Sequence, residues 1–335
     1  MAQHYLLSRK CRTLPLHRVF RMSEEAAYKW FLRARWPETD GVPYCPRCGV
    51  TDAWETRRRR FKCRAKDCRC EFSVTSGTIF AHHKLPFRQL LAAIALSAHA
   101  VKGKAALQVA RELGVQYKTA WANLMKLREA IAAERASLML EGTVEVDGMY
   151  VGGHIRPENR AEDRIDRRLR ENQTGKRKCV IAIRQRNGRI VTAITKTEDA
   201  AVIMPLLQRY ARHAHVVVAD EHHAYNQVAA VFEEVERVNH SLAYRSEAGV
   251  STNQVESFFS RVRRGEWGTF HHIASQYLDW YAFEMAWRED HRRTDMRTLV
   301  RGMLSKAMGH RTSRWLCGYW QGNHPPKDAF MVVVP

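Results

Sequence analysis

Three carboxylates occupy positions where two strands and a helix are predicted, and their residue types suit metal-dependent chemistry. Asp147 lies within an alternating strand-like run, Asp220 follows the apolar run 216–219, and Glu256 lies in a segment with helical spacing. Burying an acid on an apolar strand is costly unless it is paired, and a bound cation is the simplest partner. Mg²⁺ prefers carboxylate oxygens, and two such ions can stabilise the attacking and leaving oxygens of a phosphoryl displacement. Taken singly, each acid is equally typical of a surface residue or an ion-pair partner.

Five of the eight cysteines lie between Cys45 and Cys70, and such clustering in a cytosolic chain indicates metal binding. Two close pairs are separated by fourteen residues, Cys45 with Cys48 and Cys63 with Cys68. Two pairs of thiolates can surround one tetrahedral zinc ion, and a domain this small needs the metal to fold. Cys70 is an alternative fourth ligand, but we favour Cys68 because it leaves residues 71–74 free to form a strand. The sequence therefore predicts one structural zinc ion in a zinc ribbon over residues 41–80.

Residues 84–135 have the pattern of a helix-turn-helix DNA-binding region. Helices are predicted over 104–113 and over 116 to about 132, with Gly114 between them. In this motif the second helix enters the major groove of DNA. The side chains that would then face DNA are Gln116, Lys118, Thr119 and Asn123. An ordinary helical hairpin has the same pattern and is the alternative.

The charge of the chain indicates a polyanionic partner. Lys and Arg number 55 against 35 Asp and Glu, a formal net charge of +20, which is typical of proteins that bind nucleic acid or an anionic membrane surface. Arg57–Arg60, between the cysteine pairs, form either a solvated loop or a phosphate contact, and the net charge favours contact. No apolar run approaches the ~18 residues that span a bilayer, and the N-terminus lacks a secretory signal. We expect a cytoplasmic protein that binds nucleic acid and no membrane.

The remaining segments complete a multidomain α+β and α/β organisation. Residues 1–40 form a helical lead-in, and residues 140–300 alternate between strands and helices in the manner of an α/β domain. A loop rich in Lys and Arg, residues 154–178, lies between the first strands of that domain. Residues 301–335 are predicted to be a C-terminal tail.

Around the three acids, the sequence resembles the DDE insertion-sequence transposases of the subfamily that carries an N-terminal zinc ribbon. Thirty-five residues lie between Asp220 and Glu256, and the basic residue Arg263 follows Glu256 by seven, as recurs in that superfamily. Further matching segments are Phe72–Thr78, Val146–Gly153, Asn253–Phe259, Arg264–Gly265 and Gly268–His271. Together they cover most of residues 24–293.

The resemblance implies an RNase H-like catalytic domain in which Asp147, Asp220 and Glu256 bind two Mg²⁺ or Mn²⁺ ions. Arg263 stands where Lys is more usual, and it can still contact phosphate through its planar fork. In parts of the subfamily the third ligand is Asn, which makes Asn253, one helical turn before Glu256, a rival or auxiliary ligand. Two other acids, Glu221 and Glu284, are weaker rivals.

The function implied by the resemblance is that of a DNA transposase. The zinc ribbon and helix-turn-helix would bind the terminal inverted repeats of a mobile element, and the catalytic domain would perform metal-dependent strand cleavage and strand transfer. The partners would be double-stranded DNA, both element ends and target, and further copies of the chain in a homodimer or larger assembly. Two alternatives are an RNase H-like nuclease that does not join DNA, and a non-catalytic DNA-binding regulator.

Overall fold

The computed structural model describes residues 5–152, 158–165, 172, 177–238 and 251–332. The chain divides into two compact units. Unit 1 is Met1–Ala133 with His291–His324, and unit 2 is Glu134–Asp290 with Pro325–Pro335. Most of the basic loop predicted over 154–178 lies outside the described residues. Among the helices described, none combines the length and apolar character needed to cross a bilayer.

The secondary structure of both units is as follows. The strands are β1 (Ala53–Thr56), β2 (Arg60–Cys63), β3 (Glu71–Ser73), β4 (Glu141–Val151), β5 (Lys178–Gln185), β6 (Ile190–Thr195), β7 (His213–Asp220) and β8 (Glu234–Val238). The α-helices are α1 (Leu16–Phe20), α2 (Glu24–Arg35), α3 (Phe87–His99), α4 (Ala106–Leu113), α5 (Tyr117–Ala132), α6 (Ala200–Tyr210), α7 (Asn253–Gly265), α8 (Leu278–Asp290) and α9 (Met296–Gly309).

The small sheet of unit 1 is antiparallel, in the order β1-β2-β3. Phe61 on β2 is the register partner of Phe72 on β3, and Trp36 packs edge-on against both rings, with centroids 5.9 and 6.2 Å away. All three rings are buried. Three aromatic side chains form a small core, so a sheet of this size depends on a further crosslink for its stability.

Glu24 joins helix α2 to helix α3. The N-cap residue of α3, Pro86, has no side chain that accepts a hydrogen bond, and the Glu24 carboxylate accepts from the backbone N–H groups of Phe87 and Arg88 at 2.8 and 2.9 Å. An acid at a helix N-terminus satisfies free donors and complements the helix dipole. Arg59 forms ion pairs with Glu24 and its neighbour Glu25, so this arginine of the predicted phosphate-contacting run has partners within unit 1.

Helices α4 and α5 are separated by Gly114, which adopts φ +64° at the end of α4. This left-handed conformation favours glycine and allows the sharp change of direction between the helices. The residues predicted to form the buried face of the second helix are indeed buried: Ala120, Leu124, Leu127 and Ile131. Helix α9 returns from the far end of the chain to pack on α2, α3 and α5.

The sheet of unit 2 has the order β6-β5-β4-β7-β8. Strands β4, β5 and β6 are antiparallel neighbours, whereas β7 and β8 run parallel to β4. When the five strands are numbered in chain order from β4, they lie in the order 3-2-1-4-5. The second of them, β5, runs antiparallel to the other four, which is the topology of an RNase H-like domain. The expected mixed fold class, with a zinc ribbon before an RNase H-like domain, is confirmed.

Two apolar layers cover the faces of this sheet. Val144 and Val146 of β4 pack in one cluster with the buried residues of α6, whereas Met149 and Val151 pack in the other with those of α7 and α8. Because successive side chains of a strand point to opposite faces, Glu145 and Asp147 point to the α7 side.

Candidate active site and zinc centre

Four cysteines converge at the end of the small sheet. The Sγ atoms of Cys45 and Cys68 are 3.6 Å apart, and those of Cys48 and Cys63 are 3.5 Å apart. All four Sγ atoms lie within 4.8 Å of one another, close enough to hold one metal ion. The Cys70 thiol instead points to the Glu71 carbonyl. The structure thus brings together the four predicted ligands of a structural zinc ion.

The thiols of this centre differ in acidity. Burial raises the pKa of Cys45, but the backbone N–H groups of Cys48 and Arg47 and the neighbouring thiols outweigh it and lower the pKa to about 6. Burial raises the pKa of Cys63 to about 12, with added contributions from Cys48 and Cys45. Zinc binds the thiolate form of cysteine, so its uptake at this centre would displace the thiol protons.

Parallel pairing brings Asp147 and Asp220 to the same level of the large sheet. Glu145 of β4 pairs with Val218 of β7, so continuing this register by two residues places Asp147 beside Asp220, the last residue of β7. Strand alternation directs the Asp147 side chain to the α7 side. The sheet therefore positions two of the three predicted acids.

Glu145 connects strand β4 to helix α7, which carries the third acid, Glu256. Glu145 was not among the residues identified from the sequence. Its buried carboxylate accepts from the backbone N–H groups of Gln254 and Val255, both at 3.0 Å, and from Arg186 Nε at 3.1 Å. Glu256 follows Val255 in the first turn of α7. The signal was present in the alternation that puts Glu145 and Asp147 on one face of the strand.

Asp147 and Glu256 line a common cavity of about 440 Å³. Its lining residues are Asp147, Gly148, Met149, Glu256, Phe259, Ser260, Arg263, Arg264 and Trp267. Arg263, two turns beyond Glu256, is among them. Asp220 and Asn253 are not, and Asn253 is exposed at the first position of α7. Glu221 follows the end of β7, and Glu284 is buried in an ion pair with Arg288 at 2.5 Å.

The electrostatics of the site are dominated by like charges. Burial raises the pKa of Asp147 well above its usual range, and the neighbouring carboxylates of Glu198, Asp220 and Glu256 raise it further. The Gly148 N–H, which donates to Asp147 Oδ1 at 2.7 Å, acts in the opposite direction. Within the described part of the chain, only the four cysteines bring three or more ligand atoms within 4.8 Å. The carboxylates thus interact without forming a closed cage.

Glu198 is a further acid that sequence reasoning missed. It lies between β6 and α6, next to Asp199, which caps α6. The hydroxyl of the buried Tyr225 donates to Glu198 Oε1 at 2.6 Å. In the sequence, Thr197-Glu198-Asp199 is typical of a helix start, and nothing in that pattern indicates contact with a distant strand.

The four predicted DNA-facing residues lie at the start of α5. Gln116 is the N-cap residue, and both it and Lys118 are exposed, whereas Thr119 and Asn123 are partly exposed. Asn123 Nδ2 donates to the Thr119 carbonyl at 2.8 Å. The start of α5 therefore presents polar side chains to solvent, opposite its apolar face.

Two family models match the chain. The ISXO2-like transposase domain matches residues 139–290, and the transposase zinc-ribbon domain matches residues 22–71. An uncharacterised protein in transposable element ISH50 of Halobacterium salinarum is 29% identical over 152 residues, which cover 44% of this chain and 49% of that protein. The chain thus spans about half the length of the curated relative it matches.

Two solved structures of Mos1 transposase are weakly similar to this chain. The paired-end complex with the left transposon end has a TM-score of 0.26 at 16% identity, covering 62% of this chain and 76% of that one. The pre-cleavage transpososome has a TM-score of 0.23 at 15% identity, covering 64% and 78%.

Proposed function

Because the chain belongs to the insertion-sequence transposases that carry an N-terminal zinc ribbon, we propose that it is a DNA transposase. Asp147, Asp220 and Glu256 would bind the catalytic metal ions. The observation that carries the proposal is the common cavity of Asp147, Glu256 and Arg263, at the level where the adjacent strand ends in Asp220. These positions come from three elements that are distant in the sequence.

The donor set fits a hard divalent cation. Carboxylate oxygens suit Mg²⁺ and Mn²⁺, and the burial and mutual repulsion of Asp147 and its acidic neighbours are relieved by a cation. When bound, such ions stabilise the attacking and leaving oxygens of an in-line displacement. Arg263 and Arg264 line the same cavity and would bind the phosphates on either side of the reacting one.

The reaction has two displacements at phosphorus. In the first, water attacks the phosphodiester at the element end, and the strand breaks to leave a free 3′-hydroxyl. In the second, that hydroxyl attacks a phosphodiester of the target, forms a new phosphodiester and releases a target 3′-hydroxyl. Neither step needs an external energy source, because each exchanges one phosphorus–oxygen bond for another.

We propose that the zinc ribbon and the helices α4 and α5 recognise DNA. Gln116, Lys118, Thr119 and Asn123 would contact the inverted repeat from the start of α5, and the zinc ribbon would add phosphate contacts. Two element ends require two active sites, so we infer a homodimer or larger assembly on double-stranded DNA.

The test is strand transfer with pre-cut element ends and Mg²⁺ or Mn²⁺. Asp147→Asn and Asp220→Asn should yield no joined product, whereas Glu234→Gln, which removes an exposed acid from β8, should join like the unmodified protein. Full joining by either aspartate variant would overturn the assignment. With uncut element ends as the substrate, nicks without joined product would favour a nuclease, and binding without nicks would favour a regulator.

The third ligand is tested in the same assay. Glu256 lines the cavity while Asn253 is exposed at the start of α7, so Glu256→Gln should abolish joining and Asn253→Ala should reduce it far less. The reverse order would assign the third position to Asn253.

A further inference from the structure

The carboxylate of Glu198 occupies the space where residue 148 would have a side chain. A Cβ atom built on Gly148 would lie 2.3 Å from Glu198 Cδ and 2.4 and 2.6 Å from its two carboxylate oxygens. Contacts this short are not tolerated, so a residue with a side chain at position 148 would displace Glu198. The glycine next to Asp147 therefore admits an acid from another part of the chain.

Two tyrosines hold Glu198 in this position. Tyr225, in the turn region after β7, is 1% exposed, and its hydroxyl donates to Glu198 Oε1 at 2.6 Å. Tyr150, on β4, accepts a hydrogen bond from the Glu198 backbone N–H at 3.3 Å. Among the described residues, Tyr225 is the only group that donates a hydrogen bond to the Glu198 carboxylate, and it donates to one of the two oxygens. A single neutral donor orients a carboxylate without neutralising its charge.

The charges around Glu198 are unusual for a structural acid. The titratable groups that interact electrostatically with it are Asp147, Asp220 and His223. A partly buried glutamate retained for stability is expected to pair with Lys or Arg, but here two of the three neighbours are carboxyl groups like its own. Carboxylates gathered in this way are stable together when a cation lies among them.

We propose that Glu198 is a fourth carboxylate of the divalent-cation site, with Tyr225 as its positioning residue. The inference rests on the proposed function, since it assumes that Asp147 and Asp220 bind Mg²⁺ or Mn²⁺. It adds a ligand from the segment before α6 to those from β4, β7 and α7. It also gives Gly148 a role: residue 148 faces the α6 side of the sheet whereas Asp147 faces the α7 side, and the missing side chain lets Glu198 approach Asp147 past the end of β7.

The primary experiment measures Mn²⁺ binding to the full chain without DNA, by isothermal titration calorimetry. Glu198→Gln keeps the shape of the side chain and an oxygen that can accept from Tyr225, but it removes the charge. We expect its dissociation constant for Mn²⁺ to rise by about ten- to a hundred-fold, the range found when partners of a metal site are removed. The matched control Glu234→Gln, exposed on β8, should bind Mn²⁺ unchanged.

Tyr225→Phe tests the positioning role. It removes one hydroxyl and should weaken Mn²⁺ binding less than Glu198→Gln does. Because the hydroxyl is proposed to act through Glu198, adding Tyr225→Phe to Glu198→Gln should cause no further loss. Additive losses would overturn the positioning role of Tyr225.

Thermal unfolding separates a metal ligand from a merely structural residue. Without metal, Glu198→Gln removes like-charge repulsion, so its melting temperature should equal or exceed that of the unmodified protein. With Mn²⁺, the unmodified protein should gain stability by ligand binding, and the variant should gain less. A variant that melts lower without metal and keeps the full Mn²⁺ gain would make Glu198 structural and overturn the proposal.

The experiments can show separately whether Glu198 is a metal ligand and whether Asp147 and Asp220 form the metal site of a transposase. If Asp147→Asn loses Mn²⁺ binding while Glu198→Gln binds like the unmodified protein, Glu198 is not a ligand and the transposase site stands. If the unmodified chain neither binds Mn²⁺ nor joins DNA, both proposals fail.

Discussion

At the scale of single residues, the site depends on an acid that binds backbone N–H groups as well as on the acids that are predicted to bind metal. Glu145 does not line the cavity, yet its carboxylate connects β4 to the first turn of α7. Asp147 lies two residues away on the same face of the strand. One strand thus supplies an acid to the cavity and a second acid that fixes the helix bearing Glu256.

Glu145→Gln should destabilise the protein and reduce strand transfer. The substitution weakens the charge-assisted bonds to Gln254 N–H and Val255 N–H and to Arg186. A hydrogen bond to a charged group contributes about 2 kcal/mol and one to a neutral group about 1 kcal/mol, so weakening three such bonds should lower the free energy of unfolding in urea by about 3 kcal/mol. Glu234→Gln is the exposed control, and equal stability of the two variants would contradict the capping role.

Asp290 should make unfolding depend on pH. Burial raises the pKa of its carboxyl to about 7, although Arg189 and the Ile190 N–H lower it, whereas the unfolded value is about 3.9. Between these values the unfolded state releases its proton while the folded state retains it. The contribution of Asp290 to the free energy of unfolding is therefore fully present below about pH 4 and is lost as the pH rises through about 7.

Asp290→Asn tests this dependence because it removes the titrating group. The free energy of unfolding, measured in urea at intervals from pH 4 to 8, should fall less steeply with pH in the variant. An unchanged slope would show that other groups cause it.

At the scale of elements, the zinc ribbon should depend on its metal more than on its apolar core. Its sheet buries three aromatic rings, and four thiols converge at one end. Cys68→Ala should lose the zinc ion, while Cys70→Ala should keep one equivalent, because Cys70 lies outside the cluster. Zinc content by elemental analysis decides between them, and loss of zinc in Cys70→Ala alone would reverse the assignment.

Helix α5 should contact DNA through its exposed first turn. If Lys118 contacts one phosphate, Lys118→Gln should weaken binding to all sequences and reduce the slope of log affinity against log salt by about one. Gln116→Ala, at the neighbouring N-cap, should instead change the preference among end sequences. Fluorescence anisotropy at several salt concentrations measures both, and an unchanged salt slope in Lys118→Gln would exclude that contact.

At the scale of the whole molecule, local patterns could be predicted and contacts between distant segments could not. The strand context of Asp147 and Asp220, the cysteine pairs and the two helices around Gly114 follow from short-range spacing. Glu198 and Tyr225 meet across 27 residues, and Glu145 meets α7 across more than a hundred. Such contacts cannot be predicted from the spacing of apolar and polar residues, because they depend on the order of the strands in the sheet.

The same reasoning applies to helix α9, which crosses residue 300, the predicted boundary between the catalytic domain and the C-terminal tail. It buries Val300, Met303, Leu304, Ala307 and Met308, and it packs on α2, α3 and α5 of unit 1. Each fully buried large apolar side chain contributes roughly 1.5–3 kcal/mol. The sum is comparable with the ~5–15 kcal/mol by which a domain is stable, so we expect unit 1 to require a helix encoded after Asp290, between the two segments of unit 2.

Two truncations isolate this requirement. A chain ending at Asp290 lacks α9, whereas a chain ending at His324 keeps it, and both lack the last segment of unit 2. We expect the longer chain to retain its zinc and its helical circular dichroism on heating, and the shorter chain to release zinc at a lower temperature, because the helices that pack on the ribbon lose their partner. Equal zinc-release temperatures would mean that unit 1 is stable without α9, and the buried methionines and leucine of that helix would then contribute little to its core.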